Sequence, residues 1–204
     1  MSLIAKKTTK NTIPPLAPDT YTGRCIGVVD CGEQHSETFN NYAHKVLLIF
    51  EVCGETVDVD GEAKPRWLSK DFTLSLNEKS SLYKTVTTWF NAPPSEDEFD
   101  LALMLNRPAM LSVAVTEKGD AQYNAITAIT AVPKSMKVAE AISEQLWFDI
   151  SEWDQDTFDK LPVWMQERIK SSTEYRTKLP QGTADIDIPE TVDDAGDPNG
   201  DIPF

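Results

Sequence analysis

The sequence predicts a mainly β fold in which five strands and a helical insert are followed by a helical extension and an acidic tail. Apolar and β-branched residues form five short strand-like stretches before Pro133. Helix-type spacing of apolar residues occurs between the third and fourth stretches and again after residue 153. The last 25 residues hold seven acidic and no basic side chains, which is half of the net charge of -14 and is typical of a disordered segment.

The first two strands are predicted from apolar, β-branched runs. "TYTGRCIGVVD", from Thr20, contains two glycines and suits a strand that bends, and "HKVLLIFEV", from His44, is apolar enough to be central in a sheet. The polar stretch "CGEQHSETFNNY" between them is predicted to be a loop. The "DG" of "GETVDVDGEAKP" then predicts a hairpin turn into a third strand.

The third strand, "PRWLSKDFTLSL", alternates between two faces. One face carries Arg66, Leu68, Lys70, Phe72 and Leu74, and the other carries Trp67, Ser69, Asp71 and Thr73. Six residues of alternation do not decide which face lies inside. We expect at least one of the two aromatic residues, Phe72 or Trp67, to belong to the core.

Helical segments and two more strands follow. Capping-box spacing predicts a helix start at Ser75 and Glu78, and a second start at Ser95 and Glu98. The first helix has an apolar stripe of Leu82, Val86, Trp89 and Phe90. "AMLSVAVTE" and "YNAITAITAVP" then predict the fourth and fifth strands around the turn "KGDAQ".

Three strands, a helical insert and two strands form the layout of a five-stranded OB-fold barrel. We divide the chain into a flexible basic arm (1–18), an OB-fold domain (19–136), a helical extension (137–179) and a disordered acidic tail (180–204). The extension has an apolar stripe of Leu161, Met165 and Ile169 around Pro162. It is too short to form its own core, so we expect it to pack on the barrel or on a neighbouring subunit.

Few residue patterns suggest catalysis, and we expect no enzyme activity, cofactor or metal. Three cysteines and two histidines lack the compact spacing of a metal site. A metal-dependent nuclease using Asp30, Glu33 and Glu51 is an alternative, although scattered acids at this density usually form a solvated surface. No apolar run is long enough for a membrane helix or a signal sequence, so we expect a cytoplasmic protein.

Binding of single-stranded nucleic acid needs aromatic rings that stack on bases and cations that follow the phosphates. In an OB fold these groups lie on the second and third strands and on neighbouring loops. The candidate DNA-binding residues on these elements and on the first strand are Arg24, Phe39, Tyr42, Lys45, Arg66, Trp67, Lys70 and Phe72.

The last four residues resemble a known partner-binding motif. Asp201, Ile202, Pro203 and Phe204 match the tip of bacterial single-stranded DNA-binding proteins, which follows an acidic tail containing glycine and proline. In that family the tip binds replication and repair proteins through an apolar pocket for the phenylalanine and basic residues for its carboxylate. The resemblance implies host or phage replication and repair proteins as partners.

A second resemblance covers roughly residues 20 to 176. "YTGRCIGVVDCGEQ", "PRWLSKDFTLSLNEKSSL" and "FDKLPVWMQERIKSSTEY" are similar to a tailed-phage family of single-stranded DNA-binding proteins. The resemblance implies a protein that coats single-stranded DNA during phage replication or recombination in the cytoplasm of the infected host. It adds Lys79 and Ser80 as positions of interest beside Arg66, Lys70 and Phe72. The alternatives are a protein that captures a host replication factor through its tip without binding DNA, and a homo-oligomeric form of either protein.

Overall fold

A computed structural model describes residues 13–36, 40–59, 61–95, 98–119 and 121–178. Its main feature is an antiparallel sheet with the strand order β3-β2-β1-β4-β5. The strands are β1 (Asp19–Ser36), β2 (Asn41–Val59), β3 (Glu62–Thr73), β4 (Pro108–Lys118) and β5 (Ala121–Thr130). The mainly β fold and the barrel-shaped arrangement of five strands are confirmed.

The two outer strands of this order, β3 and β5, approach each other and nearly close the barrel. The Arg66 Nη2 on β3 donates a hydrogen bond to Asn124 Oδ1 on β5 at 3.1 Å. The Lys70 Nζ on β3 donates to the carbonyl oxygen of Ile126 on β5. Side chains therefore join the seam where the backbone ladders end.

The first two strands are longer than the sequence predicts. β1 pairs with β2 from Gly23 opposite Val52 to Ser36 opposite Asn41, so most of the predicted polar loop is a two-stranded ladder. Register shifts occur between Cys25 and Gly27 and again before Gly32. Pairing supplies the backbone hydrogen bonds that the polar side chains of this stretch do not predict.

Helix α1 (Ser81–Phe90) and a short 3-10 helix (Leu101–Met104) lie between β3 and β4. Both predicted capping boxes are wrong. Ser80, not Ser75, caps α1, because its Oγ accepts a hydrogen bond from Tyr83 N at 3.1 Å. Asp100 caps the 3-10 helix through Ala102 N, at 2.8 Å. The predicted stripe of α1 is buried at Leu82, Val86 and Trp89, and Phe90 packs against the core while partly exposed.

The barrel interior forms the first hydrophobic core. Trp89 of α1 is fully buried, and its ring lies 5.5 Å from that of Phe50 on β2. Alternate residues of all five strands complete the core, including Cys25, Val28, Leu48, Leu68, Phe72, Leu111, Val113, Ile126 and Ile129. The face of β3 that carries Phe72 is therefore the inner one.

Residues after the barrel form a second layer on its outside. Strand β6 (Leu146–Phe148) pairs in parallel with β1 at Gly27–Val29. Three short helices follow, α2 (Gln155–Lys160), α3 (Val163–Lys170) and α4 (Thr173–Lys178). No helix among the described residues is long and apolar enough to cross a membrane.

The second layer encloses a second hydrophobic core on the outer face of β1 and β2. Its members from the barrel are Ile26, Val29, Cys31, Leu47 and Ile49, and those from the later residues are Phe148, Ile150, Phe158, Leu161, Met165 and Ile169. The predicted stripe of Leu161, Met165 and Ile169 thus packs on the barrel of its own chain. β1 is buried on both faces, as strands are when layers cover both sides of a sheet.

Candidate nucleic-acid interface

The outer face of β2 and β3, where the sequence analysis places much of the DNA contact, is covered by residues of the second layer. Trp67 Nε1 donates a hydrogen bond to Ser143 Oγ at 2.8 Å. Asp71 Oδ1 accepts a hydrogen bond from Arg168 Nη2 at 2.7 Å. The half-buried ring of Trp67 packs against the second core, so a base has limited access to it.

Glu51 fixes the same cover from the centre of β2. Its side chain is almost fully buried, and its two carboxylate oxygens accept hydrogen bonds from Ile142 N and Ser143 N, each at 2.8 Å. A buried carboxylate that receives two backbone N–H groups is well satisfied. This contact gives Glu51 a structural task and no sequence signal predicts it, because the partners lie 91 and 92 residues away.

Arg24 is buried and joins β1 to the segment after β5. Its guanidinium donates to the carbonyl oxygens of Ala139 at 2.7 Å and Asn106 at 2.7 Å, and to Glu140 Oε1 at 2.8 Å. Partners thus surround the guanidinium, which leaves little of it to bind phosphate. The structure assigns Arg24 to the fold, which corrects its place among the predicted DNA-binding residues.

Arg66 and Phe72 require the same correction. Arg66 is 3% exposed, and its Nη1 donates to Pro14 O at 2.8 Å while its Nη2 reaches Asn124. Phe72 is 1% exposed within the first core, so neither ring face can stack on a base in this structure. Lys70 Nζ lies 5.9 Å from the Phe72 ring centroid and bonds across the seam to β5. These three residues of β3 help to hold the barrel closed.

Three predicted DNA-binding residues keep accessible surface. Tyr42 is 62% exposed at the end of the β1–β2 hairpin, and its ring lies 4.8 Å from that of His35. Lys79 is exposed just before α1. Lys45 is half-buried, with its Nζ at 3.0 Å from Thr73 Oγ1 and 4.0 Å from Asp71 Oδ2. Phe39 lies outside the described residues.

A group of charged residues that the sequence analysis missed joins the hairpin to α4. His44 Nε2 lies 2.6 Å from Asp30 Oδ1, and its Nδ1 lies 3.5 Å from Glu174 Oε1. Glu33 N donates to Glu174 Oε2 at 2.8 Å. The hydrogen bond with Asp30 raises the pKa of His44, and the nearby carboxylates add to this against the opposing effect of burial. Only the fold brings Glu174 to this site.

The remaining titratable groups offer little for catalysis. Burial raises the pKa of Cys25 and of Cys31 to about 12, so both thiols stay protonated and unreactive near neutral pH. Of the predicted nuclease residues, Asp30 bonds His44 and Gly32 N, and Glu51 holds the second layer. Among the described residues, no group of three or more His, Cys, Asp or Glu side chains is placed to hold a metal ion.

The acidic tail and its tip, Asp201 to Phe204, and residues 1–12 of the basic arm lie outside the described residues. Comparison of the chain with protein-family models and with curated proteins finds no match. The functional argument therefore depends on the barrel, on the accessible surface and on the sequence resemblances given above.

Proposed function

We propose that the barrel is an OB fold and that the protein binds and coats single-stranded DNA during phage replication or recombination. The observation that carries the proposal is the strand order β3-β2-β1-β4-β5, with β3 and β5 joined across the seam. An OB fold is a five-stranded Greek-key barrel used for binding oligonucleotides. The similarity to the phage family points to the same ligand.

The DNA path in this proposal avoids the covered face of β2 and β3. Tyr42 supplies an exposed ring for stacking at the hairpin end, with Lys45 on the same strand. Lys79, exposed before α1, supplies a cation for phosphate. Stacking and cation contacts of this kind bind single strands with little sequence preference.

The acidic tail has two roles in the proposal. Its tip, with Ile202, Pro203 and Phe204, recruits host or phage replication and repair proteins, and its carboxylates compete with DNA for cations. Removal of residues 180–204 should therefore raise DNA affinity, most clearly at low salt, because charge competition is screened as salt increases. Equal affinity of the two forms across a salt series would contradict the competition.

The test of DNA binding is fluorescence anisotropy with a labelled single-stranded oligonucleotide. Tyr42→Ala should weaken binding about 5- to 150-fold, since stacking of one base contributes about 1–3 kcal/mol. Lys79→Ala should lower the slope of log affinity against log salt by about 0.7. Val163→Ala and Lys160→Ala change exposed residues of the second layer, and they should bind like the unchanged protein.

A protein that captures a replication factor without binding DNA is the second candidate. It is favoured by the use of Arg24, Arg66 and Phe72 within the fold, which removes three predicted contacts. Failure of the full chain to bind the oligonucleotide at any salt concentration would reject DNA coating and leave this candidate. Its own test is binding of a tail peptide, 180–204, to host replication proteins, with Phe204→Ala as the control.

A further inference from the structure

The outer face of β1, β4 and β5 is a sheet surface without charge. Inward residues of these strands, such as Leu111, Val113 and Ile129, belong to the first core, so the residues that alternate with them face outward. The outward set is Thr20 and Thr22 on β1, Met110, Ser112, Ala114 and Thr116 on β4, and Tyr123, Ala125, Ala128 and Thr130 on β5. None of these ten side chains carries a charge.

This lack of charge contrasts with the rest of the chain. The protein has 33 acidic and 19 basic side chains, and a net charge of -14. Two copies therefore repel each other over most approaches. At the charge-free face, acids such as Asp19 and Glu117 occur at the border, not among the ten outward side chains.

We propose that this face binds the same face of a second copy, so that the protein forms a two-fold symmetric dimer through sheet-on-sheet packing. In such an interface each residue patch meets itself, and a single charge would face its own copy. A patch of Ala, Ser and Thr avoids that repulsion, and its small side chains let two sheets approach to about 10 Å. Met110 and Tyr123 supply larger contacts at opposite parts of the face.

The size of the face fits a dimer of limited strength. Three strands spaced about 4.8 Å apart, with four outward positions about 6.8 Å apart along each longer strand, cover about 14 by 27 Å. Allowing for side-chain relief, two such faces bury roughly 1,000 Å² together, which is at the lower limit for a specific interface. The dimer should therefore form and dissociate with concentration.

A partner of different chemistry fits the face less well. Single-stranded DNA needs cations along its path, and the ten outward positions provide none. A basic protein would be drawn to the acidic parts of the chain instead. A second copy is the partner for which the lack of charge is itself an advantage.

Sedimentation velocity over a concentration series, without DNA, tests the proposal. The unchanged protein should move from 22.8 kDa towards twice that mass as its concentration rises. Ala128→Glu places an acid at an exposed position of the face and should raise the dimer dissociation constant at least about 100-fold, because like charges across an interface cost several kcal/mol. Val163→Glu, at a 69% exposed position on α3, is the matched control and should dimerise normally.

Two results would overturn the proposal. One is a monomeric mass for the unchanged protein at every concentration, and the other is dimerisation of Ala128→Glu with unchanged affinity. Thr130→Glu, also at an exposed position of the face, is the second variant if Ala128→Glu does not fold by circular dichroism. DNA binding is measured separately, so loss of the dimer and loss of DNA binding are distinguishable.

Discussion

Replacement of Ile169 by alanine tests whether the second layer is an integral part of the fold. Ile169 lies on α3 and is fully buried in the second core. The change removes three carbon groups, worth about 2.4 kcal/mol at about 0.8 each, and the cavity left behind raises the loss to about 3–4 kcal/mol. With an m-value of about 2 kcal/mol per molar urea, the unfolding midpoint should fall by about 1.5–2 M.

Val163→Ala is the matched control on the same helix. Val163 is 69% exposed, so its truncation should change the free energy of unfolding by less than about 0.5 kcal/mol. Urea unfolding followed by both circular dichroism and tryptophan fluorescence should give one transition, since β1 belongs to both cores. A loss below about 1 kcal/mol for Ile169→Ala, or two transitions of which one alone shifts, would refute the reasoning.

Three other changes test local contacts. His44→Gln should remove a pH dependence of stability: the raised pKa of His44 means that its bond to Asp30 stabilises fully below about pH 6.5 and is lost as pH rises through the raised value, as a pH series of melting temperatures measures. Gly32→Ala should destabilise by at least about 1 kcal/mol in urea unfolding, because Gly32 has φ +69° and an added Cβ would meet α4 within 3.0 Å. Ser80→Ala should cost about 1 kcal/mol of unfolding free energy through loss of the α1 cap, and Ser75→Ala should cost less.

Each of these expectations has a result that contradicts it. Equal pH profiles for His44→Gln and the unchanged protein would show that the pair with Asp30 does not contribute. A Gly32→Ala protein of unchanged stability would mean that the hairpin and α4 separate easily. Equal losses for Ser80→Ala and Ser75→Ala would contradict the observed cap.

The barrel strands and the α1 stripe are predictable because their signals are local. Alternation marks β4 and β5, and the spacing of Leu82, Val86 and Trp89 marks the buried side of α1. The ends of elements are less predictable, since Ser75 and Ser80 both have a residue pattern suited to capping. The fold decides between them through the path of the chain between β3 and α1.

The predicted site residues show the limit of the sequence more clearly. Arg24 and Arg66 look like phosphate ligands because both are cations on predicted strands, yet their partners are carbonyl and side-chain oxygens from distant parts of the chain. Phe72 is decided by which face of β3 lies inside, which alternation alone leaves open. Tyr42 kept its exposure, in agreement with the polar residues around it.

The irregular segment between β5 and β6, residues 131–145, gives the shared second core a practical meaning. Its backbone is held at several points, among them the bonds of Glu51 to Ile142 and of Arg24 to Ala139. A single cut near Met136, which is 44% exposed, would therefore leave two fragments that remain associated without a covalent link. The second layer behaves in that sense as a tethered subunit, and one supplied as a separate polypeptide should reassemble with the barrel.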